Sequence, residues 1–409
     1  MEQVKSNIYF STKLLRCIAL WMVCMYGLAY DQVELPRALY TYPSYALAFV
    51  YMIVSFKHGS TAHVGDLALP FIYFFVNFFW SIFSDVGEVR LNFLLFIILC
   101  QLLLLDKDSK IWVFKGFRIF IILMSVLGII CYVSFVLNLG LPYIIQNYYS
   151  TESQSLYINY HISYVQCSSN EAYPRLCGLF NEPGYLGTVA ALILIVERLN
   201  LKRIGNILIL VAACFTFSFA FWVLIILYLT IRCFRKPIYG FLAVAVLLSA
   251  LGLVQNVETG NESVNKLVGR FSFSNDQKLK GDNRTSERFD RYYKEFDEKG
   301  ELVFGKGPDA KKKYNITGTA GYKTVIFSYG YIGFLILWGG IIVLSLRKAR
   351  GNLHCVVFVL LFMINTYQRA DIFTPDYFCI LFFGIEYIKL KTKHLSSCKK
   401  NVPNSLFLE

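Results

Sequence analysis

The chain has 409 residues, of which 56% are hydrophobic, 17% aromatic and only 16% charged, and its mean hydropathy is +0.50. A soluble domain is about a quarter charged, so this composition argues against an ordinary soluble protein and is typical of a membrane protein. The formal net charge of +13 does not indicate nucleic-acid binding, because the basic residues flank long apolar runs.

Twelve apolar runs are candidates for membrane-spanning helices, since about 20 residues are needed to cross a bilayer core. The predicted spans are 14–30, 40–56, 67–84, 91–105, 119–139, 183–197, 204–218, 219–231, 237–255, 324–346, 353–367 and 374–388. The uncharged run at 204–231 would be about 42 Å long as one helix, too long for one crossing without strong tilt. Because basic residues flank both of its ends, two short crossings with a turn near Ser218 are preferred to a single tilted helix.

Lysine and arginine give the orientation. If the chain crosses the membrane twelve times, 22 of the 40 lysine and arginine residues lie in segments on the side of the two termini. Another 4 lie in short loops on the other side, and 14 lie in one long loop. Short loops rich in these residues stay in the cytoplasm. The sequence therefore predicts an all-α polytopic membrane protein with about twelve transmembrane helices, cytoplasmic N- and C-termini and one large periplasmic loop.

The predicted organisation follows from these spans. It consists of spans 1–5 in residues 1–139, a first periplasmic loop at 140–182, spans 6–9 at 183–255, the large periplasmic loop at 256–323, spans 10–12 at 324–388 and a cytoplasmic tail at 389–409.

The large loop carries 14 basic and 11 acidic residues, and long loops of this kind are usually functional. Within it, residues 287–298 place Phe289, Tyr292, Tyr293 and Phe296 at three- and four-residue spacing. This spacing predicts an amphipathic helix. We expect the helix to lie against the membrane surface or the mouth of a cavity.

The segment at 175–187 is where an outside loop re-enters the membrane. Pro183 suits the first turn of a helix, and Glu182 would then lie at the positive end of the helix dipole. The guanidinium of Arg175 can bind a phosphate through two hydrogen bonds. The alternative is that Arg175 and Glu182 pair with each other and only fix the loop.

Two further features lie in the large loop. Arg284, Arg288 and Arg291 share one face of a helix, although neighbouring acidic residues offer them partners. Gly305 and Gly307 flank Lys306, and such a glycine-rich stretch can hold an anion with backbone N–H groups, unless it is an ordinary exposed turn.

Motifs of soluble enzymes are missing: the sequence has no P-loop, GxGxxG, HExxH or GxSxG pattern. The five histidines are scattered through the sequence. We therefore expect neither a metal nor a cofactor.

The pattern Arg-x-x-Gly-x-Phe-x-Glu-Pro-Gly at 175–184 resembles the motif of bacterial O-antigen and exopolysaccharide polymerases of the Wzy type. Further marks follow in the order of that family, at 215–218, in the long loop, at 285–288, at 305–307 and at the helix entrance 328–333. The resemblance covers residues 175–340, while the N-terminal spans match only in hydropathy.

The resemblance implies a GT-C-like glycosyltransferase of the bacterial inner membrane, with its active site facing the periplasm. Such an enzyme joins undecaprenyl-pyrophosphate-linked repeat units, which serve as donor and acceptor. On this basis Arg175 and Arg288 would stabilise the departing diphosphate, and Glu182 would accept the proton of the attacking hydroxyl. The expected substrate-binding residues are Arg291, Arg284, Gly178, Gly305 and Gly307. A chain-length regulator protein is a further candidate partner.

Two alternatives remain. O-antigen ligases share this plan but usually carry a histidine in the long loop, and 256–323 contain none. A flippase or transporter of lipid-linked oligosaccharides also suits twelve spans, but such proteins tend to show related halves and charged residues at midplane, and this sequence shows neither.

Overall fold

A computed structural model describes residues 2–26, 28, 46, 49–50, 64–82, 93–149, 154–168, 173–233, 286–308, 310–316, 321–367, 369–370 and 372–400. The predicted span 237–255 lies outside these residues, as do nearly all of the span 40–56, residues 256–285 of the large loop and Arg284.

The described chain is mostly helical. Its helices are α1 (Glu2–Tyr26), α2 (Ala68–Ile82), α3 (Phe93–Leu104), α4 (Lys107–Val136), α5 (Pro183–Val196), α6 (Ile204–Phe215), α7 (Phe219–Cys233), α8 (Glu287–Glu298), α9 (Ala310–Lys313), α10 (Tyr322–Ala349), α11 (Leu353–Asn365), α12 (Pro375–Phe378) and α13 (Gly384–Lys400). A π-helical segment, Cys379–Phe383, joins α12 to α13.

Two helices among the described residues, α4 and α10, are long and apolar enough to cross a membrane, and they suggest that the protein associates with one. Six further apolar helices in this part of the chain are shorter. Several expose rows of large apolar side chains: Phe71, Phe75 and Phe79 on α2 are 44%, 47% and 48% exposed. Faces of this kind are rare on soluble monomers. The twelve-span topology stays a prediction.

The apolar run at 204–231 forms two helices. The helix α6 ends at Phe215, α7 begins at Phe219, and Phe217 between them has a left-handed φ of 47°. The turn predicted near Ser218 is thus confirmed as a helix break.

The all-α prediction is wrong in the segment 140–182, which holds a four-stranded antiparallel sheet. Its strands β1 (Ile144–Tyr149), β2 (Gln154–Asn159), β3 (Tyr164–Ser168) and β4 (Arg175–Gly178) follow one another in space in chain order. The physical reason is the content of Tyr, Ile and Val in short runs, since β-branched and aromatic side chains favour strands.

The amphipathic helix predicted at 287–298 is confirmed as α8. Ser286 caps it by accepting a hydrogen bond from the Phe289 backbone N–H at 3.1 Å. Its apolar face, with Phe289 and Phe296 buried, packs on Phe327 of α10 at ring distances of 5.4 and 5.9 Å. The apolar face of α8 therefore contacts the protein itself, where we had expected a membrane surface or a cavity mouth.

The helix α5 forms the centre of the bundle and defines its two ends. Thirteen of its 14 residues are buried, as expected for a helix that is apolar on all sides. The sheet strand β4 and Glu182 precede its start. Its length of 14 residues corresponds to about 21 Å, which separates the two ends.

The far end of α5 carries buried acidic residues surrounded by basic ones. Glu197 is 1% exposed and contacts basic nitrogens of Arg118 and Arg203 at 3.3 Å each and of Lys391 at 2.5 Å. At the same end, where α10 stops, Asp66 binds Arg347 and Lys348 at 2.8 and 2.5 Å. Burial raises the pKa of Asp66, but the hydrogen bond and charge of Lys348 outweigh it and lower the pKa overall. We call this the basic end of the bundle.

Candidate functional site

Arg175 lies at the start of β4 and contacts the end of α6. Its Nε donates to the carbonyl of Thr216 at 3.0 Å. Thr216 is the C-cap of α6, and cations are favourable at this negative end of a helix. The adjacent Tyr132 stacks on Phe215 at 4.6 Å and donates to the Pro174 carbonyl at 3.2 Å. Both contacts fix β4 against the α6–α7 turn.

Gly187 lets α5 approach the same turn. A Cβ at this position would lie 2.5 Å from Cβ of Ser218 and 2.8 Å from Oγ1 of Thr216, distances that no side chain can adopt without movement. The turn at 216–218 therefore touches both Arg175 and α5. Two segments that carry the resemblance, at 175–187 and 215–218, meet here in space.

Gly178 makes the turn from β4 toward α5 possible. It is buried with a φ of +65°, a backbone region that glycine enters without strain. Beside it, burial raises the pKa of the Cys177 thiol, while the charge of Arg175 lowers it and that of Glu182 raises it. Cys177 therefore lies within electrostatic range of both candidate catalytic residues.

Glu182 is the N-cap of α5 without a side-chain capping bond, and its carboxylate binds Arg369 at 2.7 Å. The side chains are 56% and 14% exposed, respectively. The guanidinium of Arg369 also lies over the Tyr185 ring, 5.3 Å from its centre. The sequence alternative paired Glu182 with Arg175, whereas the ion pair described for Glu182 is with Arg369.

Arg369 stays charged although its side chain is only 14% exposed. Burial lowers its pKa, but the charge of Glu182 and its hydrogen bond to the guanidinium reverse this, so the pKa is raised overall. Its Nε is buried and has no hydrogen-bond partner among the described residues. Within this part of the chain, the Nε of Arg369 is therefore left without an acceptor.

A buried carboxyl group lies behind Arg369. Asp376, 1% exposed, accepts a hydrogen bond from the hydroxyl of Tyr185. Sequence reasoning did not select Arg369, Tyr185 or Asp376 for a site. Two features of the sequence could have indicated them: Arg369 is an arginine in a short outside loop, and Asp376 lies near the start of an apolar run. Ionisable residues in such runs are rare and often mark functional positions.

The stretch Gly305–Lys306–Gly307 is used inside the protein. Its three backbone N–H groups donate to the carbonyls of Glu301 at 3.1 Å, Phe327 at 2.8 Å and Ser328 at 2.8 Å. An anion cradle built from these N–H groups is therefore not available in this conformation, which corrects the role predicted for Gly305 and Gly307. These N–H groups are occupied because α10 is kinked at Gly330. At the kink the carbonyl groups of Phe327 and Ser328 accept hydrogen bonds from the loop instead of from their own helix.

The candidate residues on α8 are exposed. Arg288 donates to the Tyr314 carbonyl at 3.3 Å and lies over the Tyr292 ring, and Arg291 is exposed. Neighbouring acidic groups bind lysines: Asp290 contacts Lys323 at 3.0 Å and Glu295 contacts Lys299 at 2.6 Å. The contacts described for Arg288 do not include Arg175.

Both groups of candidate residues lie at the end of the bundle where α5 and α10 begin. Tyr322, at the start of α10, stacks on Tyr367, two residues before Arg369, at 5.1 Å. This end is opposite to the basic end. No group of three His, Cys, Asp or Glu side chains within the described ranges is placed to hold a metal ion.

Comparisons with family models, with curated proteins and with solved structures gave no match to this chain.

Proposed function

We propose that this protein is a polymerase of surface polysaccharide that joins undecaprenyl-pyrophosphate-linked repeat units outside the cytoplasm. One observation carries the proposal. The segments that resemble the Wzy-type polymerases are scattered through the sequence, yet 175–187 contacts 215–218 and 305–307 contacts 328–330. Residues that serve one site are expected to meet in this way.

The proposed reaction is glycosyl transfer. A hydroxyl group of the acceptor repeat attacks the anomeric carbon of the donor chain, the bond from that carbon to the lipid diphosphate breaks, and the diphosphate leaves with the electron pair. Negative charge grows on the leaving oxygen, so fixed cations lower the barrier. Arg175 is the first such cation, Arg288 the second, and Arg369 adds a third.

The role of Glu182 in this proposal is changed by its partner. A carboxylate bound to a guanidinium at 2.7 Å is a weaker proton acceptor than a free one. Glu182 therefore holds Arg369 in place, and its use as a general base is the less favoured alternative.

The proposed location is the bacterial inner membrane, crossed several times, with the end that carries Arg175 facing the periplasm. The exposed apolar rows support contact with lipid. The cluster of basic residues at the other end supports the orientation, because lysine and arginine favour the cytoplasmic side.

The test is the lipopolysaccharide of a deletion strain. We expect molecules with at most one repeat unit, because polymerisation is lost while transfer of a single unit persists. Long chains of normal abundance would refute the proposal. Polymerised chains stranded on the lipid carrier would indicate a ligase, and repeat units accumulating on the cytoplasmic face would indicate a flippase.

Complementation then tests Arg175 itself. Arg175→Ala should leave the deletion phenotype unchanged at normal protein level, and Arg175→Lys should restore little polymer, because an ammonium lacks the planar fork of a guanidinium. Lys202→Ala, exposed at the basic end, is the control and should restore full-length chains. Full rescue by Arg175→Ala would exclude the proposed role of this residue.

A further inference from the structure

A cavity of about 470 Å³ opens at the basic end, where α5 and α7 end and α11 begins. Its lining includes the polar residues Arg198, Arg232 and His354 and the apolar or aromatic residues Tyr228, Ile231 and Leu353. None of the described lining residues is acidic. It lies about 21 Å along α5 from the start of that helix, so it is separate from the candidate functional site.

Two arginine side chains, Arg198 and Arg232, line the same cavity. Arg198 donates through Nη2 to Oγ1 of Thr392 at 2.6 Å, while its Nε is buried and has no hydrogen-bond partner in the described part of the chain. Arg232 is held beside it by a 3.1 Å hydrogen bond to the Arg198 carbonyl. Two guanidinium groups that line one cavity give it a positive potential, which favours an anion there.

The start of α11 adds further positive potential. Asn352 caps this 13-residue helix by accepting from the Cys355 backbone N–H at 3.2 Å, and the residues around the cap line the cavity. A helix N-terminus attracts anions through its dipole. This contribution supplements the two arginines and would not define a site alone.

The backbone of Arg198 has an unusual conformation. Its φ is +60°, and Leu199 N–H donates to the Leu194 carbonyl at 2.8 Å. This is the pattern of a helix end that normally takes glycine at the left-handed position. An arginine here is strained, and such strain at a cavity is a reason to look for a function of the side chain.

The apolar residues that line the cavity distinguish between a free anion and an anionic lipid. Tyr228 packs on the His354 ring at 5.8 Å, and Leu353 is 64% exposed at the outer surface of the bundle. A free phosphate ion would leave these apolar side chains without an apolar group to contact. A phospholipid would place its phosphate against the guanidinium groups, and its glycerol and first acyl carbons against the apolar side chains.

We propose that this cavity binds the headgroup of an anionic phospholipid. Arg198 and Arg232 hold the phosphate through charge-assisted hydrogen bonds, and basic pockets between helices are suited to such headgroups. The site would anchor the basic end of the bundle in the leaflet that is rich in anionic lipid.

The experiment is native mass spectrometry of the purified full chain released from detergent micelles. The micelles are supplemented with phosphatidylglycerol, with phosphatidylcholine, or with phosphatidylglycerol together with an excess of inorganic phosphate. We expect saturable binding of phosphatidylglycerol, with phosphatidylcholine at least about tenfold weaker, because the latter has no net charge to offset the cations. Inorganic phosphate should not displace the lipid.

Two variants assign the site. Arg198→Gly and Arg232→Gln should each weaken phosphatidylglycerol binding by about tenfold or more, the loss expected for a hydrogen-bonded charge. Arg198→Gly should not lower the melting temperature, because glycine relieves the left-handed strain, so loss of binding cannot be ascribed to unfolding. Lys202→Ala, outside the cavity, is the matched control and should bind as the unmodified chain does.

Three results would overturn the proposal: no binding of phosphatidylglycerol, binding that both variants retain, or equal binding of phosphatidylcholine. Displacement of the lipid by inorganic phosphate would assign the cavity to a soluble anion and would overturn the lipid assignment as well.

Discussion

Gly330 and Gly305 allow two backbone segments to touch. The φ of Gly330 is +69°, and a Cβ there would lie 2.4 Å from the carbonyl carbon of Phe304. At Gly305 a Cβ would lie 2.3 Å from the Gly330 nitrogen. Because both obstacles are backbone atoms, the neighbours cannot yield by changing a rotamer. The kink of α10 and its contact with the large loop therefore depend on these two glycines.

We predict that Gly330→Ala destabilises the protein by about 2–5 kcal/mol, the combined effect of a disallowed backbone conformation and an overlap. Gly339→Ala, in the same helix with no described atom within 4 Å of the added Cβ, should be neutral or stabilising by up to about 1 kcal/mol. Thermal unfolding in detergent, followed by tryptophan fluorescence, compares them. Equal melting temperatures would contradict the described kink.

The hydrogen bond from Tyr185 to Asp376 is buried, so its loss should be costly. Tyr185→Phe removes the donor from a carboxyl group that is 1% exposed, and we predict a loss of about 1–3 kcal/mol in the free energy of unfolding. Tyr331→Phe removes a comparable bond to Asp297, 3.0 Å long but exposed, and should cost less than about 0.5 kcal/mol. Similar losses in both variants would show that Tyr185 is not the buried partner of Asp376.

At the scale of single residues, the sequence indicates candidate residues but not the partners that they contact. Arg175 could be selected because its spacing to Gly178 and Glu182 forms a pattern. Its acceptor, Thr216, lies 41 residues away and depends on how α6 packs on β4. The pair of Glu182 and Arg369 spans 187 residues, and periodicity holds no information about such a contact.

The helix α8 is an element whose stability depends on one apolar face. Phe289 is fully buried against Phe327, so Phe289→Ala should remove about 3–5 kcal/mol of packing energy and release α8 from α10. Hydrogen exchange of residues 287–298 measures this directly and should speed up strongly. Lys294→Ala, whose side chain is 80% exposed, serves as the control. Slow exchange in Phe289→Ala would show that α8 is held by other contacts.

The elements differ in how well the sequence predicted them. The apolar runs predicted the helices α2, α3, α5, α6 and α7 to within a few residues, because a long uncharged stretch leaves few alternatives. The sheet was missed because its strands have only four to six residues, and their Ser, Asn and Gln residues are equally typical of loops. The N-terminal extension of α4 to Lys107 was missed because basic residues interrupt the apolar pattern there.

The whole molecule has two chemically different ends. At one end Arg175, Glu182 and Arg369 lie where α5 begins, and at the other Glu197 and Asp66 are surrounded by basic groups. The proposed polymerisation needs the first end on the side where lipid-linked repeat units are assembled into chains. The proposed phospholipid site needs the basic end at the opposite leaflet. Both proposals therefore depend on the same orientation.

The most direct test of this account is cysteine labelling at the two ends of α5. Asn181→Cys and Lys202→Cys, both at exposed positions, are each compared with the unmodified chain, using a maleimide that cannot cross the inner membrane. We predict that Asn181→Cys is labelled in intact cells with a permeable outer membrane, and that Lys202→Cys is labelled only after lysis. Labelling of Lys202→Cys in intact cells, or protection of Asn181→Cys until lysis, would place Arg175 on the cytoplasmic side and contradict the proposed function.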